Sequence, residues 1–437
     1  MMKLFFTKNK NKRVYLDNAG ATEIGGRPTA ALLEALSIYG NPSGIHKEGA
    51  DAGILLDKAR AMCGTVLNAH AYEIYFMSSG TESCDLAVFG TYFGFVDSQE
   101  LLVNSQNPPH IITSSIEHPA VLEPIKQLER DGKVRVTYLP VYEDGIVRVK
   151  DVRVALCEET ILVSVMYANN EIGTIQPLKE MGRVIDEWKR DNGKTFTSYP
   201  YFHADACQAA NYCNLDVLRL KCHLMTVNSS KVYGPKGSAL LYKREGIKIS
   251  PVTLGGGQER GLRSGTEAVP LHYAFGVALL EAKELQEKES ARLRALRDET
   301  VKLLTKEIPS IIFYGAFDVS NKEVKRSKKQ ENNMESLQPT AYSPQPALRL
   351  PNNINCRVPG ISSEEMILRL DAKGFAVSHK SACASRETEG SYVVMSLGAT
   401  ELEAQENIRI SLGRSTSKGD LDRLVEAMKD ISTKYTK

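Results

Sequence analysis

The chain has 437 residues, more than one ordinary core of about 150 residues holds and enough for two packed domains. Lys plus Arg number 55 against 53 Asp plus Glu, a formal charge of +2, so no broad basic field exists to hold a nucleic-acid backbone. With 42% hydrophobic and 25% charged residues, the composition is that of a soluble globular protein rather than a disordered, collagenous or membrane chain.

No apolar run reaches the length of a membrane span, and stretches such as Ile161 to Ala168 are strand-length, so no transmembrane helix is expected. The opening MMKLFFTKNKNKR has too short an apolar patch for the h-region of a signal peptide, which predicts a cytoplasmic protein. Eight cysteines (63, 84, 157, 207, 213, 222, 356 and 383) form no C-x-x-C pair. That pattern fits free thiols in a reducing compartment better than a disulfide framework.

In chain order, β-rich runs fall at 73–79 (EIYFMSS), 110–116 (HIITSSI), 134–141 (VRVTYLPV), 160–168 (TILVSVMYA), 201–206 (YFHADA), 223–230 (HLMTVNSS) and 238–243 (SALLYK). Helical stretches between them include Ala120 to Asp131 and Leu178 to Asp191. This alternation predicts an α/β fold with a mostly parallel central sheet and helices on both faces. Ligands of such sheets bind beyond the carboxyl ends of the strands. A long amphipathic helix follows from Phe275 to Ile308 and connects to what comes next. The segment 319–346, with KEVKRSKKQENN and three prolines, reads as a solvated, mobile insertion. The residues from Leu348 on read as a second, smaller α+β domain.

Chemistry-bearing groups collect at the predicted strand ends. The 73–79 strand runs into Ser79-Gly80-Thr81 and a helix, a turn that aims free backbone N–H groups at an anion. The 110–116 strand ends in Glu117-His118, the 160–168 strand in Asn169-Asn170-Glu171, the 201–206 strand in Asp205 with Gln208 beyond, and the 223–230 strand in Lys231. Each alone is compatible with a cap, a satisfied histidine or a solvated lysine; together they describe a ligand crevice. A pyridoxal phosphate site needs a lysine for the Schiff base, an acid for the pyridinium nitrogen and amides for the phosphate, and Lys231, Asp205 and the Gly80-Thr81 turn supply these three. His203, Cys207, Cys213, Cys222 and His223 are close in sequence, but their spacings match no common zinc pattern, so no metal is expected. GGGQERG at 255–261 fails G-x-G-x-x-G because Arg260 takes the third glycine position.

The Lys231 neighbourhood, NSSKVYGPKGSALLYKR, resembles the cofactor-lysine signature of class V aminotransferases, specifically the cysteine desulfurase family. Nine further motifs match in order: YLDNAGAT, NPSGIHKEG, SSGTES, ITSSIEH, NNEIG, HADACQ and LGGGQERGLRSGT before the insertion and SACAS and IRISLGR beyond it. The resemblance implies a fold-type I transferase that uses pyridoxal 5'-phosphate, with a large domain at 25–285 and a small domain made of 1–24 and 286–437. It implies that Lys231 carries the cofactor, Asp205 holds its ring nitrogen, and His118 stacks on the ring and moves protons. Gln208 and Asn170 lie near the ring hydroxyl and substrate in that scheme, and Gly80, Thr81, Ser229 and Ser230 near the phosphate. Thr266, in the SGT stretch, reaches the phosphate of a neighbouring subunit, which implies a homodimer with shared sites. Arg409 clamps the substrate carboxylate.

Cys383, in the 376–390 loop, resembles the persulfide-forming cysteine. The implied reaction converts L-cysteine to L-alanine and a Cys383 persulfide, with the sulfur passed to an acceptor protein for iron–sulfur cluster, thio-cofactor or tRNA pathways. The other seven cysteines read as background, Cys157 as an inert buried thiol. Two departures stand out: Ser230 occupies a position usually held by histidine, and the first motif reads AGAT where a run of Ala-Thr-Thr is usual. Two alternatives remain beside the desulfurase: a selenocysteine lyase or other class V lyase or aminotransferase, and a degenerate paralogue serving as a scaffold. The basic cluster from Lys322 to Lys329 is the place where charge would recruit a partner.

Overall fold

A computed structural model describes residues 13–98, 107–316, 348–379 and 390–435. The predicted insertion at 319–346 and Cys383 both lie outside the described residues.

The chain opens with β1 (Val14–Tyr15) and then builds a seven-stranded sheet from β2 (Ile74–Met77), β3 (His110–Ser114), β4 (Arg135–Leu139), β5 (Thr160–Ser164), β6 (Tyr201–Asp205), β7 (Leu224–Asn228) and β8 (Ala239–Lys243). Their order is β2-β8-β7-β6-β5-β3-β4. Pairings from β7 to β4 are parallel, and β8 runs antiparallel to both its neighbours. The near-continuous apolar runs are explained by burial on both faces. Neighbouring residues on a strand part company: Ile111, Leu162, Tyr201 and Leu224 join one apolar cluster, and Ile112, Val163, Phe202 and Met225 join another. Because β8 alone is reversed, β2, β3, β5, β6 and β7 all end at the same edge of the sheet.

The remaining strands are β9 (Ile312–Phe313), β10 (Asn353–Arg357), β11 (Phe375–Ala376) and β12 (Asn407–Ser411). β10 lies between β12 and β9, antiparallel to both, and β1 pairs in parallel with β11. A third apolar cluster brings Val14 and Leu16 together with Leu293, Val301, Phe313, Ile354, Ile408 and Leu424. The 39-residue helix Val269–Glu307 serves both regions: Phe275 and Leu279 enter the main core, Leu293 and Leu304 the second. At 1.5 Å per residue it is about 58 Å long. It begins six residues before the predicted start because Pro270 fits the first helical turn, where no N–H bond is lost. The predicted helix at Leu178–Asp191 is found with the same ends.

The outer edge of β2 is closed by side chains. Phe76 N donates to Glu259 Oε2 at 2.9 Å, and Ile74 O accepts from Arg60 Nη1 at 2.8 Å and Arg260 Nη2 at 2.5 Å. These bonds satisfy the ladder groups that an edge strand leaves open. Glu259 and Arg260 both take left-handed backbone angles (φ 47° and 56°), and the buried pair of Arg60 with Glu259, 2.7 Å at each fork contact, holds them there.

Candidate active site

Five strand ends deliver the groups. After β2 the chain turns at Ser78-Ser79 into the helix Gly80–Ser98. A Cβ on Gly80 would lie 3.2 Å from Asn228 Nδ2 and 3.3 Å from Cys207 Sγ, so glycine lets this helix start close against β7. Beyond β3, His118 caps the helix Pro119–Arg130, its Nδ1 accepting from Ala120 N at 3.1 Å. The ring proton of the neutral form therefore sits on Nε2. Beyond β5, the Asn169 side chain folds the turn by accepting from Glu171 N and Ile172 N. Asp205 ends β6, with Oδ1 accepting from Cys207 N at 3.0 Å. Beyond β7, Asn228 Oδ1 accepts from Ser230 N and so starts the short 3-10 turn that carries Lys231.

Gly80, Thr81, His118 and Asn170 line one cavity of about 180 Å³, together with Asp205, Gln208, Lys231 and Arg409. Lys231 Nζ donates to Ala19 O at 2.9 Å and Gly20 O at 2.5 Å. Burial lowers its pKa, with help from Arg409, against Cys207, Asp17 and Asp205. Burial also lowers the pKa of His118, against the opposing pull of Asp205 and with smaller help from Lys231 and Arg409. Gln208 Nε2 donates to Ala19 O at 2.9 Å. Arg409 arrives from β12: Nη1 donates to Asn170 O at 3.0 Å and Nη2 to Asp17 Oδ1 at 2.7 Å. Beside His118, Glu117 is wholly buried and its pKa is pushed up to about 8 by desolvation.

Three predicted residues stand outside the cavity wall. Ser229 is buried and its Oγ has no partner among the described residues. Ser230 Oγ donates to Asn228 Oδ1 at 3.1 Å, and Thr266 is exposed on the segment that follows Glu259 and Arg260, which form a strap over the edge of β2. Cys383 lies outside the described residues. The cavity also takes Cys207, counted above as background, along with Ala19, Gly20 and Asn228. Asn228 had a readable signal, an Asn before Ser-Ser that serves as a cap; Cys207 had none. Cys157 differs from expectation too: it is half-buried and accepts from Arg135 Nη2 at 2.8 Å, because it follows a helix end rather than sitting inside a strand.

The family model described as Aminotransferase class-V matches residues 14–327. A protein named "Cysteine desulfurase IscS" from Clostridium botulinum (strain Hall) is 35% identical over 422 residues, spanning 96% of this chain and 94% of the relative. The chain belongs to the cysteine desulfurase family of class V aminotransferases. A Methanosarcina thermophila protein of the same printed name is 36% identical over 426 residues, 97% of this chain and 93% of its own. Among solved structures, one titled "NIFS-LIKE PROTEIN" superposes with a TM-score of 0.80 at 29% identity, covering 96% of this chain and 99% of that one. Another, "SspA in complex with cysteine", gives 0.70 at 27% identity over 91% and 98%.

Enzymes of this family use pyridoxal phosphate, and the residues present fit that group. A depressed lysine amine and a buried carboxylate face one cavity. At one end the helix Gly80–Ser98 presents its first N–H groups, and the unpartnered Ser229 hydroxyl lies in the turn just before Lys231.

Proposed function

We propose that this protein is a pyridoxal phosphate-dependent cysteine desulfurase that converts L-cysteine to L-alanine and retains the sulfur as a persulfide on Cys383. The observation that carries the reading is the convergence of Lys231, Asp205, His118 and Arg409, from four separate segments, on one cavity.

Lys231 is the residue to carry the cofactor and Asp205 the carboxylate for its ring nitrogen. Thr81, Ser229, Ser230 and the amides at Gly80 are the phosphate donors, joined by Thr266 from a second copy of the chain in a homodimer. Gln208 and Asn170 are the residues that would hold the ring hydroxyl. When bound, the cofactor supplies an electron-withdrawing ring that takes up charge from the substrate Cα. The depressed pKa of Lys231 raises the share of free amine, the form that attacks a carbonyl carbon or takes a proton from Cα. His118, neutral with its proton on Nε2, is the second group able to move a proton at the substrate. Arg409 receives the substrate carboxylate, a task that suits its planar fork. The Cys383 thiolate attacks the substrate sulfur; the S–S bond forms as Cβ–S breaks, the electron pair stays on carbon, and a proton completes alanine.

We assign 25–285 to the large domain, and 1–24 with 286–437 to the small one. The separate apolar cluster that joins Val14 and Leu16 to residues beyond Leu293 supports that division. The free cysteines among the described residues support a reducing, cytoplasmic setting, and an acceptor protein then takes the sulfur. The test is Cys383→Ala, assayed for alanine and sulfide with the cofactor absorbance recorded in parallel. Loss of both products with the absorbance intact is expected; undiminished turnover of cysteine would sink the assignment.

A further inference from the structure

The loop between β1 and Thr22 brings a second carboxylate to the arginine. Asp17 Oδ1 lies 2.7 Å from Arg409 Nη2, with side-chain exposures of 23% and 1%. Nη1 is held by Asn170 O at 3.0 Å, and the Nε–H is buried with no acceptor among the described residues. A carboxylate that grips a guanidinium side-on needs Nε and Nη2 together. Here Nη2 is already engaged, and Nε is left with its bonding capacity unused.

Gly20 makes the contact sterically possible. A Cβ at that position would stand 2.5 Å from Asp17 Oδ2, 2.9 Å from its Cγ and 3.0 Å from Oδ1. Any side chain at 20 therefore drives the carboxylate away from where it lies. The same Gly20 carbonyl accepts from Lys231 Nζ, so the loop touches both the amine and the arginine. Its backbone is pinned independently of the Asp17 carboxylate: Tyr15 OH and Gly20 N donate to Asp17 O, each at 3.0 Å. Turning the partly exposed carboxylate outward would thus break its bond to Arg409 and leave the loop in place. The AGAT run, which had no role in the sequence, acquires one.

We propose that Asp17 is an internal carboxylate that occupies Arg409 in the resting site and is displaced by the α-carboxylate of the incoming amino acid. Asp17 then determines specificity: it sets the threshold a ligand carboxylate must beat, and Gly20 is the residue that admits it. This rests on Arg409 being the substrate-carboxylate clamp.

The test uses the cofactor-loaded enzyme, titrated through the cofactor absorbance with L-alanine and with ethylamine, which lacks the carboxylate. Asp17→Asn should tighten L-alanine relative to ethylamine by about tenfold, the scale of one charge-assisted bond; any effect through the Lys231 amine is common to both ligands and cancels in that ratio. Gly20→Ala should reproduce that tightening, and the double variant should add nothing further. Unchanged or weaker L-alanine binding relative to ethylamine in Asp17→Asn, or additive effects of the two substitutions, overturns the proposal. Arg409→Lys separates the two levels. If it leaves L-alanine binding intact, the clamp reading falls and the proposal with it; if it weakens L-alanine selectively while Asp17→Asn brings no gain, the proposal alone falls.

Discussion

Glu259→Ala is expected to destabilise the main body of the protein by about 4 kcal/mol, within the range of about 3–5 kcal/mol for breaking a buried ion pair. Both Arg60 fork nitrogens sit 2.7 Å from the Glu259 oxygens, with side chains 7% and 1% exposed. Removing the carboxylate leaves a buried guanidinium with Ile74 O and the face of Phe76, 5.1 Å away, as its remaining contacts. It also takes the acceptor from Phe76 N on the edge strand. Alanine gives no relief at φ 47°, a left-handed position that costs about 1–2 kcal/mol for any residue with a Cβ. Trp188 is the single tryptophan and lies on the helix Leu178–Asp191, which packs on the main sheet. Its fluorescence in urea therefore reports the unfolding of the body that contains the pair. The companion variants are Arg60→Met and the double change, where the two losses should overlap by about 2 kcal/mol or more because the residues share one network. A loss below about 1 kcal/mol for Glu259→Ala, the range of exposed pairs, would refute this account of the strap.

Two more expectations follow from single atoms. Ser229→Ala removes a buried hydroxyl with no partner among the described residues, so the apo-protein should lose no stability, while retention of pyridoxal phosphate in equilibrium dialysis should weaken by about tenfold, one lost bond to a charged group; equal retention would remove Ser229 from the phosphate site. For His118, burial together with Lys231 and Arg409 holds the pKa below the ordinary 6.5. The acid limb of kcat/KM that depends on neutral His118 should accordingly lie below pH 6.5 and vanish in His118→Gln. A limb at or above 6.5 that survives the substitution contradicts the role. Linkage has the same sign: the unfolded imidazole binds protons more readily, so this group's contribution to stability is lost as pH falls below 6.5.

Most of the sheet and of the site was legible because local pattern and global position agree. Runs such as HIITS and TILVS must be buried on both faces, and the polar residue that ends each run must lie at the edge where the strand leaves the core. Hence His118, Asn170, Asp205 and Lys231 could be placed together before any coordinate was known. What stayed hidden depends on pairs far apart in sequence. Asp17 and Arg409 are separated by 392 residues and Arg60 and Glu259 by 199, and nothing in the spacing of either member points to the other. GGGQERG departs from the nucleotide-loop pattern by its sequence alone, yet its use as a strap over β2 requires knowing that β2 is an edge. Cys207 was invisible for a similar reason: its place in the cavity follows from the close approach of Gly80, a tertiary fact.

The two groups that must act on one amino acid come from different cores. Lys231 follows β7 of the main sheet, whereas Arg409 lies on β12, whose Ile408 and Ile410 belong to the second apolar cluster. Their separation is set where the cores meet, and the loop from Asp17 to Thr22 is the seam. Thr22 N donates to Ser230 O at 2.9 Å and Gln208 Nε2 to Ala19 O at 2.9 Å on one side; on the other, Asn18 Nδ2 donates to Ser411 O at 2.9 Å and Ala19 N to Ser411 Oγ at 2.9 Å. A substitution at Ala19 or Thr22 changes the position of the carboxylate clamp relative to the amine, and acts on carboxylate binding and on proton transfer at once. Asp17 is the exception, since its side chain reaches Arg409 while its backbone keeps the seam closed. For that reason Asp17→Asn acts on the clamp without moving the backbone that holds the amine, where a change at Ala19 or Thr22 would displace the amine as well.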